Sequence, residues 1–334
     1  MPDPSESLLR WAAAAIGPET KVTSAVGMHD GSSPWRLHVA GPDGQTEVVL
    51  RAPRDPYPWW PGMIATNAAA LTVAERHGLA APRLIAHDPT GNSAGLPASL
   101  ETVLPGECGW PGWPQEPSEA RLREAGAAIA RTHKIRLKPW DTLAPRVRPI
   151  EYDDFARERR WATFYQGSKE SDRPDVVAAL RKFSGSSVPA SAAARMLANV
   201  RSTPLLLHAD EIVRRHGQPR GEQVFLHGDV WPGNTMWTGD TCAGLIDWKT
   251  AGVGHPGIDL GGLRFQLARL RGPEAADHVL RGWEEEIGRK ATDVDYWDAV
   301  AALNTRTDLD AVDGAGAETS RDEFLRTAIA NLGG

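Results

Sequence analysis

The 334-residue chain has two cysteines, Cys108 and Cys242, far apart and in no metal-ligand spacing. That scarcity excludes a disulfide framework and a cysteine-built metal site, and predicts buried structural thiols in a reducing compartment. There is no excess of positive charge: 37 basic against 43 acidic residues give a net charge of -6. A nucleic-acid partner, which requires a basic face, is therefore not expected. No run approaches the ~18 apolar residues of a membrane span. The acidic start, MPDPSESLLRWAAAAIG, lacks the basic head and long apolar middle of a signal peptide. These absences predict a cytoplasmic protein away from membranes. Tyrosine (4) and phenylalanine (6) are scarce beside 13 tryptophans. Most of those serve as core filling, but Trp59-Trp60, Trp110 and Trp113 lie in loop-like contexts suited to stacking on a ring or a cation.

What remains is an ordinary globular composition, 41% hydrophobic and 24% charged, in a chain too long for one core. Two lobes are expected, residues 1–104 and 105–334. Asp3 as cap, Pro4 at the first helical position, Glu6 closing a capping box and Gly17 at the end predict a first helix. Strand-like runs follow at Lys21–Val26, Trp35–Ala40, Thr46–Arg51, Leu84–His87 and Ala98–Val103, with a helix around Ala65–His77 inserted before the fourth. Beyond Leu104-Pro105-Gly106 the residues Glu107–Pro117 read as a connector. Leu122, Ala125, Ile129, Ala130 and His133 then recur at helical spacing, with His133 as a packed histidine. Helices are expected over 174–183, 188–199, 204–216, 258–271, 273–287, 293–303 and 319–332. Short strands interrupt them at Gln223–Leu226 and Ala243–Asp247, with a tight turn at Gly239-Asp240.

The chemistry-bearing segment reads V-F-L-H-G-D-V-W-P-G-N-T-M-W-T-G-D-T-C-A-G-L-I-D-W over residues 224–248. Asp229 and Asn234 are separated by four residues, and a strand then delivers Asp247. This is the catalytic-loop pattern of kinases, Asp-x-x-x-x-Asn followed by a second Asp after a short strand. Asp229 offers a carboxylate to orient or accept the proton of an attacking hydroxyl. Asn234 offers a neutral carbonyl oxygen to a divalent cation, and Asp247 the hard anionic oxygen that magnesium prefers. Gly228 and Gly233 allow the turn between them.

H-G-D-V-W-P-G-N, L-I-D-W and G-V-G-H-P-G-I-D-L resemble the aminoglycoside phosphotransferase/choline kinase-like family. The resemblance takes in most of the chain, including V-V-L-R, the L-P-G segment and A-R-T-H. It implies an α+β, two-lobed protein-kinase-like fold: a small mixed β-sheet N-lobe over ATP and Mg2+, and a mostly helical C-lobe holding the acceptor. Asp229 is then the catalytic residue, and Asn234 and Asp247 bind the metal. His227 supports the loop, and Asp259 braces it. Arg51 stands where a phosphate-contacting lysine is usual, retaining charge and bidentate grip. Alignment on Gly78 and Pro82 puts Asn67 where its acidic partner is expected, so no ion pair is expected there. Gly27–Ser33 is either an irregular phosphate loop, with Ser32 or Ser33 touching phosphate, or an ordinary hairpin turn. The hinge that meets adenine falls at Glu101-Thr102-Val103, with Thr102 and Val103 as the contact positions.

Nine acids lie between residues 292 and 323 against Arg306 and Arg321. They make either a solvated surface or the recognition site of a cationic acceptor, with Asp308 and Asp310 as candidates. The expected activity is phosphoryl transfer to a hydroxyl of a small molecule, such as an antibiotic, sugar or amino alcohol. The competing expectation is a pseudokinase-type binding module, motivated by Asn67 and the irregular phosphate loop.

Overall fold

Helix α1 (Glu6–Ile16) begins two residues later than its sequence suggests, because the cap is Ser5 rather than Asp3: the Ser5 hydroxyl accepts from the Leu8 amide at 3.3 Å. Gly17 ends it as expected, its N–H donating to Ala13. The computed structural model describes residues 3–29, 32–53, 60–109, 116–146, 154–184 and 189–333. Trp59, Trp110, Trp113 and the Ser32 side chain lie outside the described residues. The chain divides into two units, one of Met1–Arg146, Glu222–Asp259 and Arg281–Arg289, the other of Val147–Gly221, Leu260–Leu280 and Lys290–Gly334. The expected boundary after Leu104 lies inside the first.

In the first unit β1 (Lys21–His29), β2 (Ser32–Gly41), β3 (Gly44–Arg51), β4 (Leu84–Asp88) and β5 (Ala98–Thr102) make a five-stranded sheet, ordered β1-β2-β3-β5-β4 and antiparallel at every pairing. Alternation sorts its faces. Trp35, Leu37, Val39, Leu50, Ala98 and Leu100 pack with Leu8 and Ala12 of α1. Helix α2 (Trp60–Arg76) contacts β4 and β5 and buries Ile64, Asn67, Ala68, Leu71 and Val73. Two smaller sheets follow. One places β8 (Thr235–Thr238) between β6 (Glu107–Cys108) and β9 (Thr241–Leu245); the other pairs β7 (Val224–Leu226) with β10 (Gly252–Gly254). Helix α3 (Glu119–His133) contacts β7 and β9. Both cysteines are free; Cys242 is buried, whereas Cys108 is only half-buried.

The second unit is helical. Helices α4 (Asp154–Gly167), α5 (Arg173–Ser184) and α6 (Ala190–Asn199) enclose Ala162, Val177, Leu180, Ala193 and Leu197. Helix α7 (Pro204–His216) contacts α10 (Val294–Leu303) and α12 (Ala317–Asn331), with the short α11 (Asp310–Asp313) against α12. Helices α8 (Gly257–Arg271) and α9 (Pro273–Ile287) each contribute residues to both units. No described helix is long and apolar enough to cross a membrane.

Candidate active site

Strand β7 is buried along its length and runs into His227-Gly228-Asp229. Gly228 sits at φ 81°, and a Cβ there would come within 2.2 Å of the Thr250 carbonyl oxygen. Only glycine fits that approach, so the turn presenting Asp229 depends on it. The loop then closes on itself: Asn234 Nδ2 donates to the Asp229 carbonyl at 2.8 Å and to Asp229 Oδ2 at 3.3 Å. The segment carrying Asp247 is tied to the same loop by the Ile246 amide, which donates to the Asn234 carbonyl at 3.0 Å. His227 Nε2 donates to the Ile246 carbonyl at 2.9 Å, and Nδ1 accepts from the Asp229 amide at 3.4 Å. Both ring nitrogens are thereby assigned. Burial holds the imidazole below its ordinary pKa, despite Asp259 and Asp229 nearby. His227 packs 4.6 Å from the Trp248 ring, which stacks on Phe225 at 5.1 Å.

Asp259 collects these elements from below. Its Oδ1 accepts from the Gly228 amide and its Oδ2 from the His227 amide, both at 2.8 Å. His133 Nε2 donates to Oδ2 at 3.2 Å, while Trp283 Nε1 donates to His133 Nδ1 at 2.9 Å. Burial works against the Asp259 charge, but the hydrogen bond from His133, with further help from the loop, holds its pKa below the ordinary value. Buried carboxylates persist when saturated with donors in this way.

Arg51, at the end of β3, stands against this loop inside the same unit. Its Nη1 donates to Asp247 Oδ1 at 3.1 Å, and its Nε to Glu101 Oε1 at 2.6 Å. The acid paired with Arg51 therefore comes from β5, not from α2. Asn67 does not take that place: its Nδ2 reaches Glu101 Oε2 at 3.3 Å and Ser99 Oγ at 3.4 Å. Cross-strand register explains the substitution. Val49 faces Glu101 and Arg51 faces Ser99, so Arg51 and Glu101 are diagonal neighbours on one face of the sheet. Burial opposes the Arg51 charge, yet Glu101 and Asp247 outweigh it and raise its pKa. Asp247 is the mirror case: burial disfavours its charge, but Arg51 and Lys249 hold its pKa down. Lys249 Nζ contacts Asp247 Oδ2, so both carboxylate oxygens meet a cation. Asp247 also adopts the left-handed conformation (φ 69°, ψ 59°), which turns the chain into Trp248–Thr250.

Three residues of this site escaped sequence reasoning. Glu101 carried a signal, a single acid inside an otherwise uncharged strand. Lys249 follows the motif by two positions but belongs to no spacing rule. Arg146 had none: its Nη2 donates to the Gly228 carbonyl at 2.9 Å from a loop remote in sequence. Among the expected positions, the Ser33 hydroxyl is taken up with Ala52, donating to its carbonyl at 2.6 Å. Thr102 is engaged with Arg83 through its amide and its hydroxyl, both at 2.9 Å. Val103 follows directly after β5, half-buried.

The acid-rich segment resolves differently. In the second unit Arg264 grips buried Asp298 with Nε at 3.1 Å to each oxygen and Nη2 at 2.9 Å. Asp313 pairs with Arg269 at 2.9 Å, and Asp322 with Arg321 at 2.8 Å. Asp308 is held by Arg306 at 2.9 and 3.0 Å, and Asp310 Oδ1 accepts the Glu318 amide at 2.7 Å. Most of these acids are thus committed inside the unit rather than gathered around a cation.

Residues 27–303 match the phosphotransferase enzyme family designated APH. Among solved structures, the macrolide 2′-phosphotransferase MphH from Brachybacterium faecium is similar over 96% of this chain and 98% of its own, with TM-score 0.55 and 18% identity. A thermostable mutant of aminoglycoside phosphotransferase APH(4)-Ia, in ternary complex with ADP and hygromycin B, is similar over 92% and 95%, with TM-score 0.55 and 12% identity. An aminoglycoside-3′-phosphotransferase of type VIII covers 89% and 99%, with TM-score 0.52 and 15% identity. At such identities the likeness is one of fold, the kinase-like arrangement of a small sheet-based lobe and a helical one. No curated protein sequence matches significantly.

Proposed function

Because the chain belongs to the phosphotransferase enzyme family, and so is a small-molecule phosphotransferase, we propose that it transfers the γ-phosphoryl group of ATP, with magnesium, to a hydroxyl group. The observation that carries this reading is the joining of Asp229, Asn234 and Asp247 in one hydrogen-bonded loop system, with Arg51 set against it. Solved relatives hold ADP and AMP-PNP, which supports a nucleotide as donor. We assign residues 1–104 to the lobe that covers the nucleotide and the rest to the lobe that carries the catalytic loop.

The donor set suits magnesium. Among the described residues no cluster of three His, Cys, Asp or Glu side chains could hold a metal alone. One carboxylate, Asp247, and one amide oxygen, Asn234, match an ion that completes its shell with water and phosphate oxygens. Magnesium, when bound, neutralises charge developing on the phosphates. Arg51 supplies a fixed positive charge for phosphate, backed by Glu101, and Lys249 a second one beside it. With Thr102 committed to Arg83, Val103 is the position we assign to the nucleotide base. Asp229 takes the proton of the attacking hydroxyl, whose oxygen bonds to the γ-phosphorus as the bridging P–O bond breaks and ADP leaves. Asn234 and His227 fix the orientation of Asp229, and Asp259 fixes the backbone beneath it. The binding-module alternative rested on a missing acid beside Arg51 and on the irregular phosphate loop; Glu101 answers the first, and the tip of that loop lies outside the described residues.

The decisive experiment measures ADP release across a panel of hydroxylated antibiotics, sugars and amino alcohols, alongside binding of a fluorescent ADP analogue. Asp229→Ala should cost about 10²–10⁴-fold in transfer while leaving nucleotide binding largely intact. Near-normal turnover in that variant would refute the assignment.

A further inference from the structure

The second unit contains a cavity of about 660 Å³, within the ~300–1,000 Å³ of sites that enclose organic ligands. One wall is apolar: Phe155 from α4, Met196 from α6, and Val200 just beyond it. The charged lining balances, with Glu158, Asp308 and Glu318 against Arg159, Arg201 and Arg306. Three of these charges are already committed. Arg306 grips both Asp308 oxygens, and Arg159, only 3% exposed, donates to the carbonyls of Thr305 and Leu303. A polycation would meet no surplus of negative charge here, and its ammonium groups would be desolvated against Phe155 and Met196. An apolar body, by contrast, gains from the same wall.

We propose that this cavity binds an organic molecule with an apolar body and at most one charge, and that it discriminates against polycations. It rests on the phosphotransferase reading only if the ligand is also the acceptor; an effector would bind by the same chemistry.

The test uses the full chain with Nile red as a neutral fluorescent probe, a monobasic macrolactone (erythromycin) and a polycationic aminosugar (kanamycin) as competitors. Saturable one-site Nile red binding is expected, displaced by erythromycin and not by kanamycin. Met196→Glu, at a 37% exposed position, should weaken Nile red binding about tenfold or more without unfolding the chain, as expected for a carboxylate set into an apolar wall. Arg306→Gln releases the Asp308 carboxylate and should make kanamycin an effective competitor. Absence of Nile red binding, binding indifferent to Met196→Glu, or equal competition by kanamycin in the unaltered protein would overturn the proposal. Gain of a phosphoryl group by erythromycin under MgATP marks the ligand as acceptor, and binding without it as effector; either keeps the site. Fluorescent-ADP affinity, measured in parallel, reports failure of the nucleotide reading independently.

Discussion

Between residues 227 and 247, two acids and an amide lie close in sequence and are joined in space by hydrogen bonds. Between residues 293 and 323, nine acids lie just as close in sequence, yet the fold disperses them. The difference is one of partners. Asp229 is held by the side-chain amide of Asn234 within the loop, the backbone beneath it by Asp259, and Asp247 by Arg51 and Lys249. The acids of the second unit are taken by separate arginines: Asp298 by Arg264 and Asp313 by Arg269, both from α8, and Asp308 by its near neighbour Arg306. Charge density along a chain therefore says little about charge density at a surface, because each buried or half-buried carboxylate recruits a counter-ion wherever the fold supplies one.

That contrast can be broken at either end. The largest effect should come from Glu101→Ala, which leaves Arg51 facing Asp247 without its buried partner. We expect about 3–5 kcal/mol of lost stability, the scale for orphaning a buried ion, together with weakened nucleotide binding. Unchanged affinity for a fluorescent ADP analogue would detach Arg51 from the phosphate site. Arg264→Met should cost a comparable or smaller amount, about 3 kcal/mol, by stranding Asp298, but nucleotide affinity should not move. If it did, the second unit's ion pairs would be part of the site after all.

A milder effect is expected from pH. Burial lowers the folded-state pKa of His227 below the ordinary 6.5. The unfolded chain then takes up the proton first, so this contribution is full above pH 6.5 and is lost as pH falls towards the folded value. The melting temperature should decline on acidification below neutrality, and less steeply in His227→Gln. Identical slopes would refute a neutral buried imidazole. The smallest effect belongs to Asp310→Ala, which removes the acceptor for the Glu318 amide at the start of α12. About 1 kcal/mol is expected, the usual worth of a helix cap. A change in the charge preference of the bound acceptor would show that Asp310 does more than cap.

Much of this was legible in the sequence. The catalytic loop is written within two dozen residues, so local spacing suffices, and most helices announce themselves by apolar periodicity. Helix α4 does not. Its buried positions include Ala156, Arg159 and Ala162, so an arginine stands where an apolar residue would have marked the face. Glu101 was assigned to the hinge because strand register, which places it diagonal to Arg51, cannot be read from one strand alone. Arg146, and Arg264 and Arg269 as partners of Asp298 and Asp313, come from far along the chain, where spacing carries no information.

The Arg51–Glu101 pair has a consequence for the alkaline range. A lysine at that place would begin to shed its proton near its intrinsic pKa of ~10.4, loosening its hold on the donor as it did so. A guanidinium whose pKa is pushed up further by two carboxylates has no such midpoint. The part of the phosphate grip proposed for Arg51 should therefore be titration-silent, flat from neutrality upward until the fold itself gives way, leaving any alkaline loss to Lys249.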